Sequence, residues 1–173
     1  MNDELKDALE NFIAMLKREN MFHENKLNAF QKTERLLYKY NDFQDAIAAK
    51  EEQISELREW GLKHQSKSIT KYGAGSGEVK TEQERLEDKI ESLENMIEDT
   101  RRYVRIIDKA LERIKTDEFF PIIRMKYFED LTQDDIGSRL HVDGSTISRN
   151  KNRLIRKLAV YLFPDESLTE IMQ

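Results

Sequence analysis

Over nearly the whole length of residues 82–115, an apolar side chain recurs at alternating spacings of four and three positions. This heptad pattern is typical of one long helix whose apolar stripe packs along another helix. At about 1.5 Å per residue, the helix should span roughly 50 Å. The pattern therefore requires a helical partner of similar length. The stripe consists of Leu86, Ile90, Leu93, Ile97, Thr100, Val104, Ile107, Leu111 and Ile114.

A second seam of the same kind precedes it and supplies a candidate partner. It predicts a long helix that begins after a loss of pattern at residues 23–26 and ends near Leu62. An antiparallel coiled-coil hairpin is one arrangement of the two seams, and pairing between subunits is the other, because periodicity alone does not separate them. The second seam consists of Leu36, Tyr40, Phe43, Ile47, Lys50, Ile54 and Leu57, with its polar interruption at Lys50.

Two further segments complete the N-terminal part. Residues 2–21 are predicted to form an amphipathic helix. Residues 64–81, HQSKSITKYGAGSGEVKT, hold three of the six glycines and lack an apolar period. These glycines match neither GxGxxG nor GxxxxGK[ST], and no strand is predicted before them, so a phosphate-binding loop is not indicated. We predict a flexible loop that joins the two long helices.

Composition limits the fold and the chemistry. Charged residues make up 36% of the chain, hydrophobic ones 38%, and there are only two prolines, which favours an all-α protein built from long helices. The absence of cysteine excludes disulfides and thiolate metal sites. The acidic start MNDELKDALENF is not expected to act as a signal peptide or a membrane span. The three histidines are dispersed and no nucleophile motif occurs, so we expect no enzymatic activity, cofactor or metal site.

Residues 131–163, LTQDDIGSRLHVDGSTISRNKNRLIRKLAVYLF, have the spacing of a helix-turn-helix. Thr132 and Asp135 form a capping-box pattern that predicts a helix from there to about Leu140. Gly137 would permit close approach of the next helix. In that second helix, Asp143 can provide the N-cap. Its buried stripe is predicted to be Ile147, Leu154 and Leu158.

The opposite face of this second helix is basic. At about 100° per residue, Ser145, Arg149, Asn152 and Arg156 point outward. Residues 145–157 contain five basic side chains and no acid, although the whole chain has a net charge of -5. A helix-turn-helix with such a face predicts DNA binding. The predicted DNA-contacting residues are Thr132, Gln133, Gly144, Ser145, Thr146, Ser148, Arg149, Asn152, Arg153 and Arg156.

The same segment resembles a known family. HVDGSTISRNKNRLIRKLAVYLF is similar to the second half of sigma-factor region 4, including its ending Ile155-Arg156-Lys157-Leu158. Because a long helical part precedes this segment, the chain as a whole resembles phage late-gene transcription regulators of Gram-positive bacteria, of the ArpU and RinA type. The resemblance covers residues 119–163 by sequence and the rest by architecture. Asn150 departs from the pattern, since this position is often apolar in sigma-like recognition helices.

These observations predict the domain organisation. A helical, coiled-coil region occupies residues 1–117, with its loop at 64–81, and a sigma region 4-like helix-turn-helix DNA-binding domain occupies 118–164. Pro121 lies in the first turn of a supporting helix. Pro164 closes the domain. Residues 165–173 are predicted to be a short acidic tail exposed to solvent.

The resemblance implies a double-stranded DNA-binding transcription regulator that activates late genes in the cytoplasm of a bacterial host. RNA polymerase is a second candidate partner, and no membrane contact is expected. A homodimer or higher homo-oligomer is favoured, because one small helix-turn-helix buries little DNA surface. The alternative is a phage DNA-packaging protein of the small-terminase type. Those proteins usually place the DNA-binding unit first, whereas here it comes last.

Overall fold

A computed structural model of the chain describes residue 14 and residues 27–65 and 81–172. Within these ranges every regular element is a helix, which confirms the all-α prediction. None of the described helices combines the length and apolar character that a membrane span requires. The predicted helix at 2–21 and most of the loop at 64–81 lie outside the described residues. The helices are α1 (Ala29–Tyr38), α2 (Tyr40–Gln65), α3 (Glu82–Glu112), α4 (Phe120–Tyr127), α5 (Gln133–Leu140), α6 (Gly144–Leu162) and α7 (Pro164–Ile171).

The second predicted seam is interrupted, so the expectation of one continuous helix up to Leu62 is wrong. α1 starts with a capping box in which the Asn28 and Gln31 side chains each accept a backbone N–H of the other, at 2.9 and 3.1 Å. It ends at Tyr38, and Lys39 separates it from α2. The helix is interrupted there because the buried side of α1 packs mainly on α6 and not along the line of the predicted seam. Its buried residues are Ala29, Thr33, Leu36 and Leu37.

The chain is divided into two compact units, and one of them is Phe43–Arg101. Its two described helical segments run antiparallel, since Arg58 pairs with Glu94 at 2.7 Å and Glu51 pairs with Arg101. A methyl group at Gly61 would lie 2.6 Å from Leu86 Cδ2, so the backbone of α2 comes close to α3 there. The apolar seams face inward, as the periodicity predicts. Their buried members in this unit are Ile47, Ile54, Leu86 and Ile97.

The other unit joins Met1–Asp42 to Arg102–Gln173. α6 lies at the centre of its described part and contacts α1, α4, α5 and α7. The predicted buried stripe is confirmed, because Ile147, Leu154 and Leu158 are all at most 2% exposed. Further apolar side chains of α6 are buried because α1 and α7 cover additional faces of the helix. These are Ile155, Ala159 and Leu162.

Residues 164–171 correct the prediction of a solvated acidic tail. They form α7, which packs on α6, and their acidic side chains bind α1. Glu170 accepts the backbone N–H of Ala29 at 2.7 Å, and Glu166 accepts two hydrogen bonds of 2.6 Å from the Lys32 ammonium group. A carboxylate at the first residue of α1 is also favoured by the positive end of the helix dipole. The acids of α7 therefore hold α1 in place.

Candidate nucleic-acid interface

The first helix of the predicted DNA-binding motif begins and ends where the sequence predicts. α5 spans Gln133–Leu140, and the Thr132 hydroxyl caps it by accepting the backbone N–H of Asp135 at 3.2 Å. The Asp135 carboxylate accepts the Thr132 hydroxyl itself at 2.6 Å, in place of the backbone N–H of a capping box. The hydroxyl of Thr132, a predicted DNA contact, is thus already hydrogen-bonded within the protein.

A tight turn joins α5 to α6. His141 adopts a left-handed conformation, with φ of 54°, and the Val142 N–H donates to the Gly137 carbonyl at 3.2 Å. A Cβ on Gly137 would lie 2.9 Å from the Val142 carbonyl oxygen and 3.3 Å from Ile147 Cδ1. The absence of a side chain on Gly137 therefore leaves room mainly for the backbone of the turn and, to a smaller extent, for Ile147 of α6. Beneath the turn, Ile136 and Ile147 pack with Ile122 of α4 in a small buried cluster.

Asp143 organises the first turn of α6. Its carboxylate accepts the Ser145 hydroxyl at 2.5 Å and the backbone N–H and hydroxyl of Thr146 at 2.9 and 2.8 Å. These bonds, of which the one from the Ser145 hydroxyl has the largest effect on the pKa, hold the pKa of Asp143 well below its usual range. The hydroxyls of Ser145 and Thr146, both predicted DNA contacts, are therefore oriented by Asp143.

Gln133 connects the starts of the two helices. Its amide nitrogen donates to the Gly144 carbonyl at 2.7 Å and to the Ser148 hydroxyl at 3.1 Å. A Cβ on Gly144 would lie 2.9 Å from that same nitrogen, so the glycine makes room for the contact. Three predicted site residues thus come together in one junction. The sequence predicted that these residues contact DNA, but it gave no indication that they contact one another.

The outward face of α6 matches the helical projection of the sequence. Ser145, Arg149, Asn152 and Arg156 are exposed, at successive spacings of four, three and four residues. Among the described residues, neither Arg149 nor Arg156 takes part in an ion pair or a side-chain hydrogen bond. Two guanidinium groups two helical turns apart are consequently available to an external acceptor.

The other three basic side chains of α6 are bound within the protein. Lys151 donates to Glu34 of α1 at 3.0 Å, and Lys157 pairs with Asp117 at 3.4 Å. Arg153 donates to both carboxylate oxygens of Asp117 at 2.7 Å. The hydrogen bonds from Arg153 are the main reason that the pKa of Asp117 lies well below its usual range. Phosphate contact by Arg153 remains a prediction, and it would have to use the N–H groups that Asp117 and Asn150 leave free.

Asn150, the residue that departs from the sigma-like pattern, is half-buried and fully engaged. Its amide nitrogen donates to the Thr146 carbonyl at 3.0 Å, and its amide oxygen accepts from Arg153 Nε at 3.2 Å. A polar side chain is tolerated at this depth because both of its ends have partners. Asn150 and Asp117 therefore both bind the guanidinium of Arg153.

Sequence reasoning missed the residues that fix α6 from behind. Glu34 accepts the Tyr127 hydroxyl at 2.6 Å as well as the Lys151 ammonium group, so one carboxylate links α1, α4 and α6. Burial alone would raise the pKa of Glu34, but these two hydrogen bonds, together with the charges of Lys151 and Lys126, lower it. Burial and the bond to Glu34 raise the pKa of Tyr127. Glu34 lies 93 and 117 positions from its partners, too far for a local pattern to reveal.

The described residues contain no group of three or more side chains suited to hold a metal ion. Comparisons with protein-family models, with curated proteins and with solved structures give no match.

Proposed function

We propose that this protein is a sequence-specific double-stranded DNA-binding transcription regulator, of the phage late-gene type that its C-terminal sequence resembles. In this proposal α5, the turn at His141 and α6 form a helix-turn-helix, and α6 is the helix that enters the major groove. Residues 43–101 form the coiled-coil hairpin, and the active form is a homodimer or higher homo-oligomer. The activity requires no catalysis.

The observation that carries the proposal is the division of the basic residues on α6. Lys151, Arg153 and Lys157 have acidic partners inside the protein, whereas Arg149 and Arg156 share one exposed face and remain unpaired among the described residues. The two arginines therefore form a basic surface that no acid of the described residues neutralises. Two free guanidinium groups with an amide between them suit the acceptors of base edges and phosphates.

Roles within α6 follow from position. Arg149 lies in the N-terminal half of the helix, which enters the groove in this motif, and a guanidinium can donate two hydrogen bonds to a guanine edge. Arg156 lies two turns later, where phosphate contact is expected, because the helix leaves the groove there. Ser145 and Thr146 contribute only through hydroxyls that Asp143 already holds. Arg149 and Asn152 are therefore the main candidates for reading bases.

The experiment is a selection of bound duplexes from a random library with the full-length protein, followed by titration of the selected and scrambled duplexes. Arg149→Ala should weaken binding to the selected duplex by about 1–3 kcal/mol and change scrambled DNA little. Arg85→Ala, an exposed position on α3, removes the same charge and serves as the matched control. Equal losses in the two variants, or on the two duplexes, would contradict base reading by Arg149.

A measurement of the oligomeric state distinguishes transcription regulation from DNA packaging. A dimer or monomer that protects a promoter-proximal site in footprinting supports regulation. A closed ring seen by light scattering, together with no enriched sequence in the selection, supports the small-terminase alternative. Addition of RNA polymerase to the footprinting reaction then tests for the second partner, through a change in the protected region.

A further inference from the structure

Ser145 is the first exposed side chain of α6, and its hydroxyl group points to a fixed acceptor. It donates to the Asp143 carboxylate at 2.5 Å, the short distance of a charge-assisted hydrogen bond. The pKa of Asp143 lies well below its usual range, chiefly because of this bond, so the carboxylate is ionised at neutral pH. An ionised carboxylate only accepts hydrogen bonds, and the shared proton therefore belongs to Ser145. The exposed oxygen of Ser145 is left with lone pairs alone and acts as an acceptor toward any external partner.

A phosphate group does not suit the side chains at this end of α6. Phosphate oxygens are acceptors, as is the Ser145 oxygen, so the two have no hydrogen to share. The Asp143 carboxylate also occupies the positive end of the α6 dipole, where a helix otherwise binds a phosphate. The hydroxyl and the backbone N–H of Thr146 are both bound to Asp143, at 2.8 and 2.9 Å. The side chains of the first turn therefore present acceptors and require a donor.

Hydrogen-bond donors in the major groove identify the base that carries them. They are the amino groups of cytosine and adenine, whereas guanine and thymine present acceptors there. Adenine also carries the N7 acceptor beside its amino group, and an ionised carboxylate repels that lone pair. Cytosine has no acceptor at its major-groove edge. The cytosine amino group is therefore the donor that suits Ser145 and Asp143 together.

We propose that the Ser145 hydroxyl accepts a hydrogen bond from a cytosine amino group, and that Asp143 is the positioning residue that makes this hydroxyl an acceptor. The inference rests on the proposed function, in which α6 enters the major groove. Arg149 lies one turn later on the same exposed face and donates to a guanine, so the face changes from acceptor to donor within four residues. A binding site for this protein then contains a cytosine near the guanine that Arg149 contacts.

The first experiment repeats the selection from a random library with the full-length wild type and with Ser145→Ala. The wild type should prefer cytosine at one position, and Ser145→Ala should reduce that preference about tenfold without changing the affinity for scrambled duplexes. Ser138→Ala removes an exposed hydroxyl from α5 and is the matched control. It should select the same sequence as the wild type.

Asp143→Ser tests the positioning role. Serine is also a good N-cap residue, so α6 keeps its cap, but one neutral hydroxyl no longer holds the proton of Ser145. The Ser145 hydroxyl is then able to donate, and discrimination of cytosine from guanine and thymine should fall although Ser145 is still present. Asp134→Ser removes an equal charge from an exposed position on α5 and should leave the base preference unchanged.

A modified base tests the contacting atom. N4-methylcytosine still pairs with guanine, but a methyl group replaces its amino hydrogen in the major groove. At the preferred position it should lower the affinity of the wild type about tenfold and that of Ser145→Ala little. The same modification at a cytosine outside the selected site is the control. Melting curves by circular dichroism verify that each variant is folded.

Several results overturn the inference and leave the proposed function standing, because a sequence has still been selected. They are a base other than cytosine at the position that Ser145→Ala alters, an unchanged preference in Ser145→Ala, and an equal loss on selected and scrambled duplexes, which is the behaviour of a phosphate contact. If the wild type enriches no sequence at all, the proposed function itself fails, and this inference fails with it.

Discussion

The guanidinium of Arg153 and the carboxylate of Asp117 form a bidentate ion pair, with both nitrogen–oxygen distances at 2.7 Å. The pair ties α6 to the segment between α3 and α4, and the Asp117 side chain is only 15% exposed. Asp117→Asn should therefore destabilise the protein by about 1–3 kcal/mol, because a half-exposed arginine loses its charged acceptor. Urea unfolding at neutral pH measures this loss. Glu112→Gln, at an exposed pair with Lys115, is the control and should change little.

The same pair predicts a dependence of stability on pH. The pKa of Asp117 is lower in the folded protein than its usual value. Its contribution is therefore fully present above about pH 5, where the unfolded carboxylate is also ionised, and is lost as pH falls toward the folded-state pKa, because the unfolded chain then binds the proton more readily. The difference in unfolding free energy between the wild type and Asp117→Asn should shrink between about pH 5 and pH 2. A constant difference over that range would argue against the ion pair.

Arg153 and Arg156 are expected to affect DNA binding in different ways. Arg156→Ala should weaken binding to all duplexes alike and reduce the slope of log affinity against log salt by about 1, because it removes one phosphate contact. Arg153→Ala should mainly lower stability, since its guanidinium is engaged by Asp117. Titrations at several salt concentrations, with unfolding curves beside them, separate the two. A reduced salt slope for Arg153→Ala would show that Arg153 contacts phosphate as well as Asp117.

At position 137 even the methyl side chain of alanine would be crowded. A Cβ would lie 2.9 Å from the Val142 carbonyl oxygen, which is backbone and cannot move cheaply. Overpacking costs about 1–3 kcal/mol, against about 1 kcal/mol gained from the helix propensity of alanine. Gly137→Ala should thus lower the free energy of unfolding, and Gly137→Leu should lower it further. Exposed Ser138→Ala gains the propensity without the clash, so a Gly137→Ala variant that is equally stabilised would refute the steric explanation.

His141 carries a conformational cost in the turn. Its φ of 54° lies in the left-handed region, which glycine adopts without penalty and other residues adopt at some expense. His141→Gly should raise stability by about 0.5–1 kcal/mol, and His141→Val should lower it by more, because a β-branched residue is strongly disfavoured there. Thermal melts of the three proteins give the order. If glycine proves the least stable, the His141 side chain must contribute interactions that outweigh its backbone strain.

Local patterns were enough to predict much of the candidate interface. The caps at Thr132 and Asp143 depend on residues three positions away, and the exposed face of α6 depends only on the helical repeat. These features follow from chemistry within one or two turns of helix. The inward-facing seams at Ile54 and Ile97 were predictable for the same reason.

Contacts between distant residues could not be predicted in this way. The bond between Ala29 and Glu170 joins positions 141 apart, and it converts a predicted solvated tail into a docked helix. The break at Lys39 likewise exists because α1 packs on α6, a relationship that no heptad pattern within residues 36–62 contains. The partition of the basic residues of α6 has the same origin, since their acids lie on other elements.

The docking of α1 on α6 also changes what a C-terminal fragment can do. Residues 119–173 hold the whole predicted helix-turn-helix, but in the structure α1 packs on α6 and is missing from such a fragment. The fragment lacks both Asp117 and Glu34, so Arg153 and Lys151 lose their acceptors as well.

We therefore expect residues 119–173 to lack a cooperative thermal unfolding transition by circular dichroism. A second fragment retains α1, because a short linker joins residue 42 to residue 102 in place of residues 43–101. This linked fragment should unfold cooperatively. In the full chain, Leu37→Ala should cost about 2–5 kcal/mol, because Leu37 is completely buried. Exposed Leu62→Ala removes the same atoms and should cost far less. A cooperative melt of residues 119–173 that matches the linked fragment would mean that α1 adds little to the unit around α6.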